Sequence, residues 1–79
     1  MCCTLEVHGI IWSLSRANGK ACFSHNGIRI VWEPKMDAYQ AQDLGGECIL
    51  ARESPSDCIL ETTHCVLDMY ADSIVPSWA

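Results

Sequence analysis

Two Asn-Gly dipeptides, Asn18-Gly19 and Asn26-Gly27, restrict the folds open to this chain more than any other feature. A two-residue hairpin turn needs positive φ at both central positions, and Asn-Gly meets that need at least cost. Taking Asn26-Gly27 as such a turn sets His25 opposite Ile28, Phe23 opposite Ile30 and Ala21 opposite Trp32. The other face then pairs Ser24 with Arg29, Cys22 with Val31 and Lys20 with Glu33. One face is apolar and the other carries an opposite-charge pair, the arrangement cross-strand pairing favours. The same rule at Asn18-Gly19 brings Leu14 opposite Phe23 and Trp12 opposite His25, on the same apolar face.

Ile10 continues that face, but strict alternation beyond it would bury His8 and Glu6. A bulge at Gly9 restores Val7 and Leu5 to the inside, so residues 4–33 are expected to form a three-stranded antiparallel meander. Pro34 ends the third strand. Residues 34–44 have helix-compatible composition and run into Gly45-Gly46, which predicts a short helix there, with an irregular connection as the alternative. Their apolar residues do not gather on one helical face. Glu47 to Glu53 reads as a fourth strand, with Cys48 and Leu50 on one side and Ile49 and Ala51 on the other.

Ser54-Pro55-Ser56-Asp57 supplies a capping serine, a proline at the first helical position and an acid three residues after the cap. A helix over about 55–71 follows from this start and from its pattern. Asp57, Glu61, His64, Asp68 and Asp72 share one side, and Cys58, Ile59, Cys65, Val66, Met69 and Tyr70 the other. A strand reading of Thr62 to Met69 scatters the acids over both faces. The expected fold class is α+β: a three- or four-stranded antiparallel β-meander packed by a C-terminal amphipathic helix. Its expected core is Leu5, Val7, Trp12, Leu14, Phe23, Ile30, Trp32, Ile59, Val66 and Met69.

A chain of 79 residues holds one domain, expected over 1–79, with one thin core. Its apolar share of 49% against 19% charged residues is that of a globular protein and excludes a disordered one. No stretch is long and apolar enough to span a bilayer, and the first residues lack the pattern of an export signal. A cytoplasmic location is therefore expected, with the six cysteines reduced. Cys22, Cys48, Cys58 and Cys65 lie among apolar neighbours and read as buried structural thiols, whereas Cys2 and Cys3 read as exposed.

Charge is divided unevenly. Residues 1–36 hold Arg16, Lys20, Arg29 and Lys35 against Glu6 and Glu33, a balance of +2. Residues 37–79 hold Asp37, Asp43, Glu47, Glu53, Asp57, Glu61, Asp68 and Asp72 against Arg52, a balance of −7. A strongly negative side repels nucleic acid and anionic membrane and attracts basic protein surfaces.

Catalytic and metal chemistry find little footing. Cys22 and His25 are three apart on a strand and point to opposite faces, no CxxC occurs, and no family signature accompanies a cysteine, so neither metal nor cofactor is expected. The helical acids are spaced for a solvent face rather than for a pocket that would shift their pKa values, so no enzyme is expected. Direct nucleic-acid binding through Arg16, Lys20 and Arg29 beside Phe23 or the tryptophans is opposed by the acidic half.

A charged helix face is ordinarily just solvated, but such faces mix both signs. Here no lysine or arginine follows Arg52. Asp68 also opposes the helix macrodipole, a cost of about half a kcal/mol that stability alone would not favour. Asp57, Glu61, Asp68 and Asp72 are thus the expected partner-binding residues, a line of carboxylates placed to imitate phosphates. In small size, acidity and lack of familiar motifs the chain resembles the inhibitors made by phages and mobile elements, of the anti-CRISPR or anti-restriction type. That resemblance implies a protein occupying the basic nucleic-acid-binding surface of a host defence complex. The alternative is an assembly module that forms a homodimer through Ile11, Val31 or the Trp78 tail.

Overall fold

The structure, a computed structural model, describes residues 3–73, and their side chains as far as Ala71. It is α+β: an antiparallel sheet of six strands in simple chain order, followed by one helix. The strands are β1 (Thr4–Val7), β2 (Ile10–Ala17), β3 (Lys20–His25), β4 (Ile28–Glu33), β5 (Ala38–Gln42) and β6 (Cys48–Arg52), and the helix is α1 (Pro55–Ser73).

Both Asn-Gly turns form as their residue types require. Asn18 and Gly19 have φ of 54° and 79°, and Asn26 and Gly27 have 48° and 84°. The registers Leu14↔Phe23, Phe23↔Ile30, Ser24↔Arg29 and His25↔Ile28 follow from them. Lys20 does not meet Glu33; its Nζ stands 4.8 Å from the centre of the Trp32 ring.

The expected sheet of three or four strands is two to three short, for two local reasons. His8-Gly9 is a third turn of the same kind, with φ of 49° and 85°, so residues 4–17 form a hairpin rather than one bulged strand. Cross-strand partners share a face, so Val7↔Ile10 and Leu5↔Trp12 point as a bulge would have made them point. The facing is as expected, and the antiparallel meander gains a strand.

Residues 38–42 are strand β5, not helix. A turn at Pro34–Asp37, closed by Met36 N–H to Glu33 O at 3.2 Å and Asp37 N–H to Pro34 O at 3.3 Å, reverses the chain. Tyr39 and Ala41 then alternate with Gln40 and Gln42, a period of two that explains why no helical face emerged. The two glutamines bond to each other at 2.8 Å on the outer face.

In β6 a bulge opposite Ala41/Gln42 leaves Ile49 without a ladder partner, so Ile49 and Leu50 both pack on the core instead of facing opposite ways. The helix starts where expected: the Asp57 N–H faces Ser54 Oγ at 3.5 Å, and the Cys58 N–H bonds Ser54 O at 3.0 Å.

The helix lies against β1, β5 and β6, so both margins of the sheet bend toward it. Between them sits a core of Ile10, Trp12, Phe23, Ile28, Ile30, Tyr39, Ala41, Cys58, Ile59 and Val66. Val7 and Trp32, both expected inside, are half-buried against it. Leu5, Leu14 and Met69 were also expected there, but are 40%, 38% and 48% exposed. Leu14 belongs to the tip of the β2–β3 hairpin, whose residues 14–20 are all exposed and stand clear of the helix. Leu5 lies on an edge strand, and Met69 on the rim of a cleft described below.

Thr62 and Thr63 are fully buried within a helix, where β-branched residues are ordinarily disfavoured. Each has a bond that explains it. Thr62 Oγ1 donates to Cys58 O one turn back at 2.6 Å, and Thr63 Oγ1 accepts the Trp12 indole N–H at 2.9 Å. No helix among the described residues is long and apolar enough to cross a membrane.

Candidate functional site

The outer side of α1 carries the expected carboxylates. Asp57 and Asp68 are exposed, as is His64 between them. Glu61 is half-exposed and is held in an ion pair by Arg52 at the end of β6, which binds it through Nε and, at 3.1 Å, through Nη2. The hydrogen bond first, and then the charge of Glu61, raise the Arg52 pKa above its ordinary value. Asp72 is a helical residue whose side chain lies outside the described ones. The stripe thus holds two solvated carboxylates and one neutralised by the last base of the chain. No basic residue occupies the last turn of the helix.

On its inner flank the same helix borders a cleft of about 440 Å³. Ile28, Ile49 and Val66 form its apolar floor, and Leu44 and Met69 its rim. The loop that carries Leu44 is shaped by one carboxylate. Asp43 Oδ1 accepts the Gly45 N–H at 2.9 Å and the Glu47 N–H at 3.0 Å, while Asp43 N–H bonds Glu47 O at 3.0 Å. Leu44 then reaches over Gly27, where a Cβ would come within 1.9 Å of Leu44 Cδ2.

Asn26 and Tyr70 lie at the polar end of the cleft, where they join a short network. The β2–β3 ladder stops at Ser13↔Ser24, and the His25 ring takes over, with Nδ1 3.0 Å from Ile11 O. A carbonyl only accepts, so Nδ1 carries the proton. In the neutral ring Nε2 then accepts the Tyr70 hydroxyl at 2.7 Å, and the Tyr70 oxygen accepts Asn26 Nδ2–H at 2.7 Å. This ties the Asn26-Gly27 turn to the end of the helix. It holds the ring between two partners.

A second depression, about 510 Å³, lies beside Lys20, Cys22, Arg29 and Trp32. Lys20 caps the Trp32 ring there, which removes that face from base stacking.

Comparison with protein-family models, with curated proteins and with solved structures finds no match.

The five described cysteines are free. Cys58 is buried, with Sγ 3.7 Å from Tyr39 O, and burial pushes its thiol pKa up. Cys22 and Cys65 are half-buried. Cys48 is exposed on the edge strand, against the expectation that apolar sequence neighbours would bury it, because the Ala41/Gln42 bulge turns Ile49 inward beside it. Cys3 is exposed as expected, and Cys2 lies outside the described residues. His8 and His64 bring their ring centres to 5.2 Å, yet among the described residues no three or more His, Cys, Asp or Glu side chains converge to hold a metal. The cleft is the feature that reading the sequence missed. Its walls come from three separated stretches, so no local pattern marks it.

Proposed function

We propose that this protein is a non-enzymatic, protein-binding inhibitor of the anti-CRISPR type. It acts in the host cytoplasm by covering the basic nucleic-acid-binding surface of a defence complex. The observation that carries this reading is the solvent-facing placement of Asp57 and Asp68 on a helix with no base in its last turn, continuing from exposed Glu53. Asp57 and Glu61, and Asp68 and Asp72, are four apart in sequence, a spacing at which like charges repel unless an opposite charge offsets them. Asp72 extends the stripe in sequence, and Glu61 joins it if a partner cation displaces Arg52.

The test is displacement of DNA from purified CRISPR and restriction complexes by the chain, measured across a range of salt. Inhibition that weakens steeply with salt, and disappears on combining Asp57→Asn, Glu61→Gln, Asp68→Asn and Asp72→Asn, supports the reading. Inhibition indifferent to both, or no inhibition of any complex tried, overturns it.

A second reading, a homodimeric assembly module, is favoured by Ile11, which is 47% exposed on the sheet face away from the helix. Val31 is half-buried, and the Trp78 tail lies outside the described residues. Light scattering with and without reductant separates such a dimer from cross-linking through Cys2 or Cys3.

A further inference from the structure

We infer that the cleft beside the C-terminal half of α1 receives an apolar side chain presented by a positively charged protein segment. This rests on the reading of the partner as a basic protein and places the anchor of that contact beside the acidic stripe rather than on it.

The argument begins with size. A cavity of about 440 Å³ fits one large side chain and its neighbours; its floor of Ile28, Ile49 and Val66 is apolar, and the hydroxyl of Thr62 beside them is bonded to Cys58 O. The rim is the second point. Leu44 is 83% exposed and Met69 48%, so two large apolar side chains stand in water on either side of one opening. Covering them is favourable at about 25 cal/mol per Å² of apolar area. Methionine adapts its shape to whatever it covers.

Charge is the third point and selects the partner. Among the described residues Asp43 is the one charged residue lining the cleft, and its Oδ1 accepts two backbone N–H groups. Exposed Asp68 adjoins Met69 on the helix, and exposed Glu47 closes the Asp43 loop. Among the described residues no lysine or arginine lines the cleft. A segment with arginine or lysine flanking a phenylalanine or leucine satisfies both the floor and the rim. An acidic or neutral segment satisfies the floor alone.

The experiment is a methyl and amide NMR titration of the full chain with a short synthetic peptide of a central phenylalanine flanked by arginines. Control peptides carry alanine at the centre, or glutamate in place of arginine. Saturable shifts at Ile28, Ile49 and Val66 are expected with the first peptide. Affinity should drop about tenfold or more when the phenylalanine becomes alanine, the burial of one aromatic side chain, and comparably with glutamate flanks. Met69→Arg, at an exposed position, should abolish the cleft shifts while leaving distant resonances in place, and Met69→Leu should keep them.

Shifts confined to Asp57 and Asp68 and equal for the alanine peptide overturn the anchor, yet leave the acidic-stripe reading standing. Cleft binding indifferent to arginine or glutamate flanks overturns the cationic occupant of the cleft, while the acidic-stripe reading stands or falls by its own salt dependence. Cleft shifts produced by Trp78→Ala without peptide would assign the cleft to the chain's own last residues. Shifts that grow with protein concentration would assign it to a second copy. Either result overturns the inference.

Discussion

The Trp12 indole and the Thr63 hydroxyl show what one buried polar pair does in a core this thin. Both side chains are fully buried, and their bond joins β2 to α1 across most of the chain. Thr63→Val keeps the shape and strands the indole N–H, which should cost about 1–3 kcal/mol by chemical denaturation, while Thr63→Ser should recover most of it. Cys58 makes a second prediction. Burial raises its thiol pKa above the ordinary 9.0, so the unfolded chain gives up that proton at a lower pH than the folded one. The stability Cys58 contributes is therefore whole below pH 9 and is lost as pH climbs from there through the folded value. A melting series over that range should show the loss, and Cys58→Ala should flatten the thiol's share of it. Ellman's reagent should modify Cys3 and Cys48 well before Cys58. The burial of Cys58 and the exposure of Cys3 were legible in the chain; the Trp12–Thr63 bond was not, because the indole that satisfies the threonine lies far away in sequence.

Between elements, the three two-residue turns are the chief local determinants. Gly27 combines φ of 84° with the overlying Leu44 side chain, so Gly27→Ala meets two separable obstacles. Backbone strain for an L-residue is about 1–2 kcal/mol. The Leu44 clash is cheaper, because an exposed side chain swings away. Gly27→Ala should destabilise by roughly that strain, and adding Leu44→Ala should recover only a minor part, as a double-mutant cycle in urea would show. The Asn-Gly turns were legible because their residue type answers a backbone demand directly. His8-Gly9 meets the same demand with a residue that tolerates positive φ less well than asparagine. Strand β5 was obscured by alanine and glutamine, which favour helices when nothing else decides. What decides is the exposed ladder edge of β4, to which Glu33↔Ala38, Trp32↔Tyr39 and Ile30↔Ala41 attach.

For the molecule as a whole, stability and the proposed function pull in opposite directions along α1. Its last turn has no basic residue, while Asp68 lies near the end of the helix. Asp68→Lys should therefore stabilise the isolated chain by about 0.3–1 kcal/mol, seen as a small rise in melting temperature. The same change should weaken binding to any basic partner, most strongly at low salt. A variant more stable and equally active would show that the stripe is only a solvated face. The basic residues Arg16 and Lys20 on the β2–β3 hairpin and Arg29 on β4 are all exposed, whereas α1 carries Asp57, Glu61, Asp68 and Asp72 and no lysine or arginine.

The sequence by itself determined the registers around both Asn-Gly turns, the extent of the helix, its cap and its acidic side. Each of these depends on residues within a few positions of one another, where backbone geometry and periodicity leave few alternatives. Tertiary structure decided the number of strands, the pairing of Glu61 with Arg52, the burial of the threonines and the existence of the cleft. Those outcomes depend on which surfaces meet once the sheet bends around the helix. An apolar residue can be read as needing cover, but what covers it, and where cover is left incomplete as at Leu44 and Met69, is set by the packing of distant segments.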